Sequence, residues 1–197
     1  MDIRSILNSY LNSEAILLSK ENNKTEKYIK LAEDILACKL CFTNSPHPYP
    51  GSGNIDSRVM ILGEAPSPNR KSFENFSEKS KDIVDMILHE LTLNRKDVYM
   101  TNSIKCSPPR GETRTRVLML TVCLMYLRRE VELIDPRVII ALGNTAKKAV
   151  DALKNERICR ATILTLPHPM NVIYGSISLE EYLKMVRKRC GLIRFLI

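Results

Sequence analysis

The run Val59-Met60-Ile61-Leu62, closed by Gly63-Glu64-Ala65-Pro66, constrains this chain more than any other stretch. Four consecutive apolar residues predict a strand buried on both faces, as in a parallel sheet covered by helices on either side. Gly63 ends the run and lets the backbone turn close to a ligand. Glu64 then places a carboxylate at the carboxyl end of the strand, the edge at which open α/β sheets bind ligands. Pro66 stiffens the exit. The octet gains meaning if other strands also end in polar groups.

They do. Val98-Tyr99-Met100 ends in Thr101-Asn102, and Val138–Leu142 runs into Gly143-Asn144-Thr145. Ala161–Leu166 ends at Pro167-His168-Pro169. Between them, helical spacing of apolar residues predicts helices over 2–19, 25–37, 78–92, 116–133 and 144–153. Ser178-Leu179-Glu180-Glu181 is a capping box that opens a basic helix running to about Cys190. The segment Asn44–Gly53 is rich in Pro and Gly and reads as a loop. Strands alternating with helices predict an α/β fold with a mainly parallel sheet.

A chain of 197 residues suffices for one substantial domain. No apolar run approaches the length of a transmembrane helix, and the first residues lack a secretory pattern. No membrane association and a cytoplasmic or nucleoid location are therefore expected. The formal charge of +8 favours a polyanionic partner. Six cysteines without a signal sequence argue for metal or cluster ligation, or for buried thiols, rather than disulfides. Cys38 and Cys41 form a C-x-x-C pair, and 16 residues separate Cys106 from Cys123. Four thiolates could hold a [4Fe–4S] cluster or one zinc ion, although zinc ribbons usually pair both halves closely. Cys159 and Cys190 fit neither spacing.

Glu64, Asn102 and His168 thus stand at three strand ends. An asparagine amide offers an acceptor and two donors, which can pair with an imide-like edge. A histidine between two prolines is held rigidly and can donate to a developing oxyanion. Singly, these residues could equally be a surface acid, an Asx turn and a turn cap. Arg70, Lys71, Lys105, Arg110, Arg114 and Arg116 cluster in nearby segments, where mobile cations could meet phosphates, as could any solvated loop.

Taken in order, Gly63-Glu64-Ala65-Pro66, Thr101–Cys106 followed by Pro108-Pro109, Ala141-Leu142-Gly143 and His168-Pro169 resemble the family 4 uracil-DNA glycosylases, over about residues 36–190. The resemblance implies a three-layer α/β/α sandwich with a central four-stranded mainly parallel sheet. It implies monofunctional excision of uracil, leaving an abasic site. Single- or double-stranded DNA containing uracil is the expected partner, and a monomer is expected. It makes Cys38, Cys41, Cys106 and Cys123 ligands of a [4Fe–4S] cluster. It places Phe76 under the flipped uracil and Asn102 against its N3–H and O4 edge. His168 and the Ala65 N–H would stabilise the uracil anion at O2. Gly63 and Glu64 would form the pocket floor, with Glu64 helping to hold the attacking water. Met170 to Ile173 would enter the duplex where the base left, as apolar wedges do. Arg70, Lys71, Lys105, Arg110 and Arg114 would line the DNA path, with Met170.

Departures from the family pattern are local. Ser67-Pro68-Asn69-Arg70 replaces a glycine and an acidic cluster, and glycines are missing around Phe76 (Asn75-Phe76-Ser77-Glu78). An asparagine after the paired prolines is replaced near Arg110-Gly111-Glu112. These leave two other readings open: a silent DNA-binding module, or a glycosylase for another deaminated base. Residues 1–35 lie outside the resemblance and read as an N-terminal helical extension to a domain over 36–197. The extension would be either extra packing or a docking element for a replication or repair protein.

Overall fold

The computed structural model describes residues 3–11, 16–17, 21–41, 48–67, 75–109, 111, 113–193 and 196. The elements in chain order are α1 (Ile3–Leu11), β1 (Ile16–Leu17), α2 (Asn22–Leu36), β2 (Ser52–Asn54), β3 (Val59–Gly63) and α3 (Glu78–Glu90). Then follow β4 (Tyr99–Asn102), α4 (Thr113–Ile134), β5 (Val138–Leu142), α5 (Asn144–Asn155), β6 (Thr162–Leu166), α6 (Met170–Ile173) and α7 (Leu179–Cys190).

The strands form one sheet in the order β1-β2-β4-β3-β5-β6. β4, β3, β5 and β6 are mutually parallel, and these are the four strands expected from the apolar runs. β3 and β5 are buried at every position, as strands covered on both faces must be. The strand count differs from expectation. β2 pairs antiparallel with β4, and β1 parallel with β2, so the sheet has six strands. β2 is Ser-Gly-Asn, a sequence with no β-propensity, and it is a strand because Ser52 and Gly53 register against Met100 and Tyr99. Likewise the helical pattern expected over 2–19 stops at Leu11, and Ile16–Leu17 joins the sheet edge.

Two apolar cores flank the sheet. On one face Met60, Leu62, Tyr99, Ile139 and Ala141 pack with α4 and α5. Ile6 and Leu7 of α1 and Tyr28, Ala32 and Leu36 of α2 belong to this same core. On the other face Ile61, Ile140 and Leu142 pack with Ile83, Val84 and Ile87 of α3 and Tyr182 and Val186 of α7. The sandwich therefore has three layers. Ser77 and Ser178 cap α3 and α7 by accepting from Ser80 and Glu181 N–H groups.

Candidate functional site at the strand ends

Because β3, β4, β5 and β6 are parallel, Glu64, Asn102, Thr145 and His168 all leave the sheet at the same edge. Gly63 is the closest point. A Cβ built there would stand 2.4 Å from Asn102 Oδ1 and 2.7 Å from Phe76 Cε1. Glycine at this position is what lets the amide, the ring and the backbone share one small space. Asn102 is 1 % exposed and Phe76 9 %.

Asn102 Nδ2 donates to the Asn75 carbonyl at 2.8 Å and to Asn75 Oδ1 at 3.2 Å. Its Oδ1 is buried and has no hydrogen-bond partner among the described residues. The expectation that this amide serves both N3–H and O4 of a uracil is thus narrowed: the acceptor is open, and the donors are engaged within the protein.

His168 follows β6, and Gly143 at φ +90° supports it. A Cβ on Gly143 would lie 3.1 Å from His168 Cβ. His168 Nδ1 accepts the Met170 N–H at 3.1 Å. With Nδ1 an acceptor, the neutral imidazole carries its proton on Nε2 and can donate there. Burial lowers the His168 pKa below the ordinary imidazole value, and the Glu64 charge opposes this only in part.

Glu64 is held on both oxygens. Arg116 pairs with Oε1, and Thr145 Oγ1 donates to Oε2 at 3.0 Å. Thr145 belongs to the opening of α5 and was not legible as a site residue. Its signal is the Gly143-Asn144-Thr145 turn at the end of a buried strand. The peptide geometry around Glu64 is fixed from β4: Ser103 and Ile104 N–H groups donate to the Gly63 and Glu64 carbonyls at 2.9 and 2.8 Å.

The expectation for Lys105 does not hold. Its side chain is 1 % exposed, so it cannot meet a phosphate at the pocket mouth. Its Nζ instead reaches Glu130 at 2.5 Å, the Asn102 carbonyl at 2.7 Å and Thr101 Oγ1 at 2.8 Å. Glu130 also accepts from Tyr99 Oη, Thr101 Oγ1 and the Gly51 N–H. Tyr28 donates to the Gly51 carbonyl at 2.6 Å, which ties α2 to the same network. Burying a lysine is affordable only because every donor finds an acceptor. Arg114 is exposed. Arg70, Lys71 and Arg110 lie outside the described residues.

Met170 is half-buried, and its thioether accepts from Ser80 Oγ at 3.4 Å. Val172 and Ile173 pack on the core against α3. The side chain that protrudes beyond this short helix is Tyr174, 77 % exposed, which the sequence reading passed over.

The cysteines come from three segments. Cys41 and Ala65 pack against a buried group containing Ile104, Cys106, Met119 and Cys123. Cys38 packs on the adjoining group of Leu31, Ile35 and Tyr126. The Lys105 N–H donates to Cys123 Sγ at 3.3 Å. Burial pushes the Cys123 thiol up to about 11, the backbone N–H opposes this, and Cys41 and Cys38 add to it. Burial followed by Cys38 raises Cys41 as well. Cys41 and Cys123 thus resist ionisation unless a cation neutralises them, which is the chemistry of a thiolate metal site. Among the described residues, no group of three or more His, Cys, Asp or Glu is arranged to hold a single metal ion.

Arg116, Cys123 and Glu130 fall seven residues apart on α4. Seven residues nearly complete two turns, so the three lie on one stripe of the helix. That stripe meets Glu64, the cysteine group and Lys105 in turn.

The description "Uracil DNA glycosylase superfamily" matches residues 50–188. The chain is 33 % identical over 119 residues to a "Type-4 uracil-DNA glycosylase" of Thermotoga maritima, covering 59 % of this chain and 62 % of that protein. It is 34 % identical over 131 residues to one of Pyrobaculum aerophilum, covering 65 % and 66 %. With one of Archaeoglobus fulgidus the identity is 27 % over 184 residues, covering 82 % and 92 %. The first two matches thus span just under two thirds of those relatives' lengths.

Proposed function

The chain belongs to the uracil DNA glycosylase superfamily, and from that premise we propose that it excises uracil from DNA by hydrolysing the N-glycosidic bond. The observation that carries this reading is the convergence of Gly63, Phe76, Asn102 and His168 on one sheet edge, with a buried amide oxygen left open among the described residues. A base in a duplex must leave the stack to reach such a pocket, at a cost of roughly a few kcal/mol. Phe76 offers a ring for stacking, and the Asn102 Oδ1 accepts from the uracil N3–H. Cytosine presents a lone pair at that position and is refused.

In the reaction the C1′–N1 bond breaks, and its electron pair goes to uracil. The negative charge gathers on the carbonyl oxygens, and the neutral His168 donates from Nε2 to O2, with the Ala65 N–H as a second donor. Water supplies the oxygen that bonds to C1′; one of its protons stays on the new C1′ hydroxyl and the other neutralises the departing uracil anion, directly or through solvent. Glu64 keeps lone pairs beyond those used by Arg116 and Thr145, and these orient that water. Desolvation keeps His168 neutral, so it stabilises charge without first protonating the base.

The four thiols of Cys38, Cys41, Cys106 and Cys123 fit an iron–sulfur cluster by donor chemistry: all-sulfur, largely buried, and with a backbone N–H on Cys123 Sγ. Such a cluster would supply a crosslink between the segment after α2, the segment after β4, and α4. DNA is the partner in this reading, and the exposure of Arg114 and Tyr174 supports contacts from both to it. The test is release of uracil from a deoxyuridine-containing oligonucleotide, leaving an alkali-labile strand. Salt-dependent binding without release would instead identify a silent DNA-binding module. A panel carrying hypoxanthine and xanthine separates the remaining alternative.

A further inference from the structure

We propose that Asn75 is the positioning residue that fixes the Asn102 amide with its oxygen toward the base pocket, so that the site selects a base offering a ring N–H. The inference rests on the reading of that pocket as a base site. Asn75 immediately precedes Phe76.

One group behind Asn75 cannot turn over. The Met100 carbonyl, on β4, can only accept. Asn75 Nδ2 donates to it at 2.9 Å and to Ser52 Oγ at 2.8 Å. This settles the orientation of the Asn75 amide and directs its Oδ1 to Asn102. The Asn75 backbone carbonyl faces the same way, so Asn102 meets two acceptors, at 2.8 and 3.2 Å. A flipped Asn102 would set its oxygen against both of them, in an interior where Asn75 is 3 % and Asn102 1 % exposed. Leaving such groups unpaired costs about 1–3 kcal/mol each. The amino group of Asn102 therefore points to Asn75, and its oxygen points to the space beside Gly63.

Orientation passes from a main-chain carbonyl through one amide to the next, and ends on an acceptor that awaits a donor. Uracil N3–H supplies one, and so does the ring N–H of any lactam base. Cytosine N3 does not. Because Nδ2 of Asn102 is turned to the two Asn75 acceptors, selectivity in this reading comes from the one acceptor that faces the pocket.

The test uses the full chain with Asn75→Leu, which keeps the breadth of the side chain and removes its polar atoms. Two quantities are read: hydrogen exchange of the Asn102 side-chain NH2 by NMR, and the excision ratio of deoxyuridine to deoxycytidine. Exchange should accelerate and the ratio should fall, each by roughly tenfold or more, the scale of one buried hydrogen bond. Asn75→Asp is the rescue. Its protonated carboxyl can donate to Met100 and accept from Asn102, so protection should return as the pH is lowered. It also serves if the leucine variant does not fold. Unchanged protection of the Asn102 NH2 in Asn75→Leu, or an Asn75→Asp variant that never regains it, overturns the proposal. A wild-type protein that releases no uracil overturns the pocket reading instead, while the exchange comparison still decides whether Asn75 holds Asn102.

Discussion

Lys105 Nζ and Glu130 Oε2 meet at 2.5 Å with both side chains 1 % exposed, directly behind the strand end that carries Asn102. The ammonium also holds the Asn102 carbonyl and Thr101 Oγ1, so a charge pair fixes the backbone from which the Asn102 amide projects.

Lys105→Met should therefore destabilise the protein by about 3–5 kcal/mol, because it strands a buried carboxylate. Adding Glu130→Gln should recover part of that loss, since neighbours in one network are not additive. Urea unfolding of the three variants measures both. If Lys105 were instead a phosphate contact, its removal would lower the salt slope of DNA binding by about one unit and leave stability alone.

Gly63→Ala should abolish most excision while leaving the fold. The new methyl would compete with Asn102 Oδ1 and Phe76 for the space that the proposed reading gives to the base. A displacement on that scale costs roughly a hundredfold in rate. Single-turnover uracil release reads the effect, and binding to abasic DNA, which needs no base in the pocket, should be largely retained.

The His168 ring should be neutral at pH 7 and titrate below the ordinary value near 6.5, because burial opposes its charge. A depressed folded-state value means that the unfolded chain binds the proton first. This group's contribution to stability is full above the unfolded value and is lost as pH falls toward the folded one. Excision should decline over the same acid range, because protonation at Nδ1 ends its acceptance of the Met170 N–H and with it the contact that orients the ring. Glu64→Gln removes the charge that partly offsets burial, so the imidazole titration should move to still lower pH, read from its Cε1 proton by NMR. His168→Ala should cut release by about a hundredfold or more, with substrate binding little changed.

Cys123→Ser should remove the brown colour expected of the protein and lower its iron and sulfide content, because it removes the sulfur that receives the Lys105 N–H. Cys159→Ser and Cys190→Ser should leave both unchanged. These two lie in the apolar cores on opposite faces of the sheet, away from the other four cysteines. A colourless wild-type protein carrying zinc would overturn the cluster assignment.

Local signals carried much of the architecture. Apolar runs marked the four parallel strands to within two residues, since a strand buried on both faces leaves no polar positions to confuse it. β2 was hidden because Ser-Gly-Asn owes its strand geometry to Tyr99 and Met100, which are remote in sequence. At the site, Glu64, Asn102 and His168 were legible because each ends a strand. Asn75 was not, since an asparagine in a polar stretch looks like a turn until its partners on β4 are known. Lys105 misled for the converse reason. A lysine beside a basic loop reads as solvated, and its buried acceptor, Glu130, is a helix residue 25 positions away.

The stripe Arg116, Cys123, Glu130 makes α4 a matter of phase as well as of residue type. Each step of seven advances about 10 Å along the helix, so one rod sets the spacing between carboxylate clamp, cysteine group and buried charge pair. Deleting a single residue anywhere between them would turn one part of the rod by about 100° relative to the other. Exposed positions on the same helix, such as Val117, Leu118 and Met125, can change identity freely by comparison. Descendants of this chain should therefore vary in what α4 presents to solvent long before they vary in how many residues it contains.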